Sequence, residues 1–109
     1  MMGTQPGDLD PGVLVYLLVD RGMTQAALNE LVNRRAGLLG VSGVSADMRD
    51  LLARESANAP AAEAIALFCS QARKYLGALV AALGGLDTLL FTGGIEHAAA
   101  IRLRICEGL

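Results

Sequence analysis

The sequence predicts an α/β fold that is rich in helix and holds at least one buried strand. Three observations carry this expectation. Apolar residues recur at three- and four-residue spacing behind recognisable helix starts, as with Val13, Leu14, Leu17 and Leu18 after Asp10-Pro11. The same spacing persists over a long stretch from about Pro60 to Leu83. Between Asp87 and Gly93, the run Thr88–Thr92 is short and apolar, the pattern of a buried, parallel-type strand.

In order, residues 3–10 read as a loop containing Gly3, Pro6, Gly7, Asp8 and Asp10. Asp10 suits an N-cap and Pro11 the first helical position. Val15, Tyr16 and Val19 widen the apolar stripe of this first helix. It is therefore expected to be buried nearly all round and to stop at Gly22. Thr24 is expected to cap a second helix through about Arg35, with Leu28, Leu31 and Val32 inward and Gly37 ending it. Residues 38–46 lack helical periodicity and are expected to be a loop or a short extended piece. A third helix is expected at about Asp47–Glu55, then a soft connection of small residues at 56–62. The long helix should turn Ile65, Phe68, Ala72, Leu76, Leu79 and Leu83 inward and end at Gly84-Gly85. After the strand, Gly93-Gly94 turns the chain into a last helix from about Ala98 to Glu107. A lone buried strand leaves backbone N–H and C=O groups unpaired. Its neighbours are expected outside these residues, or from Val41–Val44.

Bulk properties exclude several classes. The chain of 109 residues is 53% hydrophobic and 18% charged, against a usual ~45–50% and ~25% for soluble domains. Its mean hydropathy is +0.45, which excludes disorder as a description of the whole. A membrane span is not expected, because the longest uncharged stretch of the apolar C-terminal half, Tyr75–Leu86, falls short of the ~20 residues a bilayer requires. A formal net charge of −2 offers no basic field for nucleic acid. Cys69 and Cys106 lie far apart and form neither a disulfide framework nor a zinc pattern, so a reduced, cytoplasmic location is expected. Apolar content this high with so few charges points to a piece of a larger body or to an obligate partner.

Two loops have the makings of a site. Leu89–Ile95 runs from an apolar segment through Gly93-Gly94 toward a helix, where glycine lets a backbone approach a ligand and helix N–H groups face an anion. Taken alone, the pattern is more often plain punctuation. Ser42–Arg49 is a Gly/Ser loop feeding a helix, with Asp47 placed as a cap and Arg49 against the dipole of the first turn. Elsewhere the bland readings stand. His97 is read as a surface histidine, Cys69, Phe68 and Tyr75 as core, and Arg73 and Lys74 as a solvated face.

Together the loops are more specific than apart. Met2-Gly3-Thr4-x-x-Gly7-Asp8-x-Asp10-Pro11 comes first. Gly37-Leu38-Leu39-Gly40-Val41-Ser42-Gly43-x-Ser45-x-Asp47-Met48-Arg49 follows, then Phe91-Thr92-Gly93-Gly94-Ile95. This series resembles the acetate kinase family in order and interval. Arg73-Lys74-Tyr75-x-Gly77 and Gly84-Gly85-Leu86-Asp87 fit the same pattern. The resemblance covers essentially the whole chain and roughly a quarter of a family member.

The resemblance implies an actin-like, ribonuclease-H-like fold of the sugar kinase superfamily, with residues 1–109 a single partial domain of its C-terminal, nucleotide-binding half. It implies phosphoryl transfer between ATP and acetate, with Mg²⁺, to give acetyl phosphate. A homodimer in the cytoplasm follows from the same resemblance. Asp47, Met48 and Arg49 would line the adenosine site, and Gly93, Gly94, Ile95 and Glu96 match a second ATP-binding loop. The family's catalytic arginine position holds Gln5, which is neutral. The loop after Ile95 is one glycine shorter than the family's. The family's catalytic aspartate, substrate arginine, transition-state histidine and metal-ligating glutamate are not matched here. The chain alone is therefore expected to be inactive. Two alternatives stay open: a non-catalytic helical interaction domain, and a propionate or butyrate kinase piece.

Overall fold

A computed structural model describes residues 1–94 and 98–109. Among the described residues there are six helices and no strand. They are α1 (Pro11–Val19), α2 (Gln25–Arg34), α3 (Gly37–Ser42), α4 (Met48–Arg54), α5 (Ala59–Leu83) and α6 (Ala99–Cys106). The chain divides into two compact units, Met1–Ile65 and Ala66–Leu109.

In the first unit, α1 starts as expected. The Asp10 carboxylate accepts from the Gly12 N–H at 2.7 Å and Pro11 occupies the first turn. Its burial differs from expectation, because no residue of α1 is buried, and Val15 and Val19 are 57% and 73% exposed. Apolar residues surround this helix on every side, and the α2 packed against it covers one face. In α2 the Thr24 hydroxyl accepts from the Ala27 N–H at 3.1 Å, and Leu28, Leu31 and Val32 are half-buried.

The stretch expected to be loop or extended contains α3, and Val41–Val44 supplies no strand. Tertiary contact makes this helix. The N–H groups of Ala36, Leu38 and Leu39 donate to the carbonyls of Thr4, Met2 and Gly3 at 3.1, 2.9 and 2.9 Å. These bonds satisfy donors that a helix start leaves open. Gly37 therefore begins a helix rather than ending one. Its φ is +64°, and a Cβ there would run into the Met2 carbonyl oxygen and lie 2.7 Å from that of Gln5. A six-residue helix is also too short for its periodicity to be read.

α3, α4 and the start of α5 supply the core of this unit. Leu38, Leu51, Ala61, Ala64 and Ile65 are buried. Asn58 caps the start of α5 by accepting from the Ala61 N–H at 2.8 Å. Full burial of Leu51 and Ile65 is worth roughly 1.5–3 kcal/mol each.

In the second unit, the inward stripe of α5 fades along its length. Cys69 is buried, and Phe68, Ala72 and Leu76 are half-buried. Leu79 and Leu83, expected inward, are 58% and 76% exposed. Tyr75, expected in the core, is exposed, with the Lys74 ammonium 5.4 Å from its ring centre. Thr88–Thr92 does not form the expected buried strand. Leu89 and Phe91 are half-buried, while Leu90 between them is 81% exposed. That alternation is the side-chain pattern of extended chain. A strand also requires a hydrogen-bonding neighbour, and no described residue pairs with this run as a ladder. α6 buries Ile101 and Ile105, one turn apart. Arg73 donates from Nη1 to the Glu107 carbonyl at 3.1 Å, tying α5 to the end of α6.

Candidate functional site

The first site loop is built from α3 outward. Gly43 adopts a left-handed conformation and donates its N–H to the Leu39 carbonyl at 2.8 Å, closing α3. The buried Ser42 hydroxyl then accepts from the N–H groups of Val44 and Ser45 and donates to the Ser45 carbonyl. Ser45 in turn offers its hydroxyl oxygen to the Asp47 N–H at 3.1 Å.

This turn delivers Asp47 to the start of α4. There its Oδ1 accepts from the Arg49 N–H at 2.8 Å and from Arg49 Nε at 3.2 Å, and its Oδ2 accepts from Nη2 at 2.7 Å. One carboxylate thus caps the helix and grips a guanidinium at two points. The Arg49 side-chain bond, joined by the Arg49 backbone N–H, lowers the Asp47 pKa from 3.8 to about 2. Its partner moves the opposite way, the Arg49 pKa being raised by the same carboxylate. Asp50 is lowered by Arg54 and then by the Ser45 hydroxyl. The Arg49 side chain is 88% exposed despite this pairing, so a planar cation faces solvent with its orientation already set. Met48 beside it is half-buried.

Gln5 is not a free group. Its Nε2 donates to Asn33 Oδ1 at 2.9 Å, and Asn33 Nδ2 donates to Asn29 Oδ1 at 2.8 Å. Thr4 adds a bond from its hydroxyl to the Asn33 carbonyl at 2.9 Å. The N-terminal loop is therefore pinned to α2 by an amide chain. The i,i+4 spacing of Asn29 and Asn33 was a readable sign that both share one helix face.

The second loop lies in the other unit. Gly93 has a φ of +74° and, like Gly94, is exposed, with no described atom beyond its chain neighbours within 4 Å of where a Cβ would stand. Ile95, Glu96 and His97 lie outside the described residues. Among the described residues no group of three His, Cys, Asp or Glu side chains could hold a metal ion. Among the described residues no helix is long and apolar enough to cross a membrane.

The sequence assigns no role to Ser42 or Asn33. Ser42 stands within the loop motif, and its bonds to Val44 and Ser45 show that its hydroxyl organises the turn.

Known proteins share both the sequence and the fold of this chain. The family model described as the Acetokinase family matches residues 1–109. An acetate kinase of Rhodopseudomonas palustris is 56% identical over 108 residues, covering 98% of this chain and 27% of that protein. A propionate kinase of Escherichia fergusonii is 49% identical over 111 residues, covering 100% of this chain and 28% of that protein. The crystal structure of Porphyromonas gingivalis acetate kinase superposes with a TM-score of 0.93 at 42% identity, covering 100% of this chain and 28% of that one. The chain thus spans little more than a quarter of the length of these relatives. Within that quarter, matching sequence and matching backbone extend from end to end, and the chain belongs to the acetokinase family.

Proposed function

We propose that residues 1–109 form part of the C-terminal, nucleotide-binding domain of a kinase with an actin-like, ribonuclease-H-like fold. That kinase transfers the γ-phosphoryl group of ATP to a short-chain carboxylate. The end-to-end family match carries this reading. Acetate and propionate are both candidate acceptors, since relatives named for each match the whole chain. A homodimer in the cytoplasm belongs to the same proposal.

In the reaction, a carboxylate oxygen bonds to the γ-phosphorus as the bond to the β-phosphate oxygen breaks, and ADP leaves. No proton moves. Such transfer depends on positioning and on neutralising charge. This chain contributes positioning. Asp47 holds the Arg49 guanidinium flat and exposed, fit to stack on a purine, with Met48 alongside. Gly93 and Gly94 are exposed, and with Ile95 and Glu96 they make up the proposed second loop. Gln5 adds no cation, and its amide is committed to Asn33. Mg²⁺ enters only as the ion accompanying ATP. Among the described residues no group of three His, Cys, Asp or Glu side chains comes together to hold it.

Two measurements test the reading. Calorimetric titration with Mg·ATP is expected to show saturable binding, weakened about tenfold by Arg49→Ala, the scale of one cation–π contact. Trapping of acyl phosphate as hydroxamate is expected to detect no product from the chain alone. Equal binding by wild type, Arg49→Ala and Asp47→Ala overturns the site. Turnover abolished by Arg49→Ala overturns the proposed inactivity.

A further inference from the structure

We infer that Ser42 is a positioning residue for the Asp47–Arg49 pair, acting through Ser45. Its functional meaning rests on the proposed nucleotide role of that pair.

Ser42 is 4% exposed. A hydroxyl offers one donor and two acceptor sites, and Ser42 uses all three. It accepts from the Val44 N–H at 3.3 Å and the Ser45 N–H at 3.2 Å, and it donates to the Ser45 carbonyl at 3.0 Å. Every partner lies on the turn between α3 and α4. Ser45, held from both its N–H and its carbonyl, uses its own hydroxyl on the next turn. It accepts from the Asp47 N–H at 3.1 Å. Asp47 is then oriented to meet both its own helix and the Arg49 fork. The far side of the turn is closed by Gly3, where an added Cβ would lie 2.9 Å from the Ala46 carbonyl oxygen. Ser42 and Ser45 act on the exposed Arg49 only through Asp47.

The test uses Ser42→Ala and Ser45→Ala in this chain, with amide hydrogen exchange and NMR titration of the Asp47 carboxyl. In Ser42→Ala, exchange at Val44, Ser45 and Asp47 is expected to rise about tenfold, the scale of one net hydrogen bond. In Ser45→Ala only Asp47 is expected to lose protection. In both variants Asp47 should titrate above its wild-type value of about 2, toward 3.8. A merely structural serine would instead raise exchange evenly through α4 and α5 and leave the Asp47 titration unchanged. Either of those results overturns the inference, and Ser45→Ala decides it if Ser42→Ala does not fold. A Mg·ATP titration separates the two levels. If wild type binds, Ser42→Ala should weaken binding several-fold, and equal affinity overturns the inference. If wild type does not bind, the nucleotide reading fails, and the exchange and titration results alone decide the positioning role.

Discussion

Asp47 does three jobs with one carboxylate: it caps α4, holds Arg49 and carries a depressed pKa. Its folded pKa lies below the ordinary value, so its contribution to stability is fully present above 3.8 and is lost as pH falls through about 2. Lowering of Asp50 by Arg54 adds an effect of the same sign. The pair is therefore expected to stay closed at neutral pH and to open only in strong acid, as followed by carboxyl chemical shifts. Arg49→Ala should return the Asp47 titration toward 3.8 at any salt concentration. At this scale the capping role of Asp47 was legible, because Asp before a helix has one common use. The Arg49 grip was not, since a fork two residues on depends on side-chain torsions. The Asn33 bond to Gln5 is likewise hidden from sequence, although the spacing of Asn29 and Asn33 on one helix face is not. Asn33→Ala frees the Gln5 amide and should lower stability by about 0.5–1.5 kcal/mol in denaturant unfolding.

Among the elements, those with caps and period were readable and those made by contact were not. α2 follows its Thr24 cap and its stripe. Thr24→Ala should lower stability by roughly 1 kcal/mol. α3 depends instead on three carbonyls from residues 2–4, some thirty positions away. Gly37→Ala introduces a Cβ at φ +64° against Met2 and Gln5. It should destabilise by more than ~1 kcal/mol, because the strain outweighs the gain from restricting the unfolded chain. Loss of α3 helicity would also slacken the turn to Asp47. Thr88–Thr92 fails as a strand for the complementary reason: its alternation is local, but its hydrogen bonds must come from elsewhere.

Across the whole molecule, the buried set is small beside the apolar content. Leu51→Ala and Ile101→Ala remove fully buried side chains, and each should lower stability by roughly 2–5 kcal/mol. Meanwhile Val13, Val15, Tyr16 and Val19 on α1, and Leu79, Leu83 and Leu90 beyond, stay exposed. An apolar surface of this kind favours association over solvation. Sedimentation velocity is expected to show concentration-dependent association of the chain, reduced in a Val15→Glu, Val19→Glu double variant. A monomer at every concentration would contradict that expectation.

The sequence by itself determined the helices that carry their own caps, the family, and the order of the site loops. These depend on residues near one another along the chain, where spacing and side-chain type suffice. Tertiary structure decided the existence of α3, the amide chain that occupies Gln5, the Ser42 turn and the exposure of α1. Each of these depends on groups distant in sequence, or on whether a neighbour is there to cover an apolar face. Periodicity shows that a face is apolar; only packing decides whether it is covered.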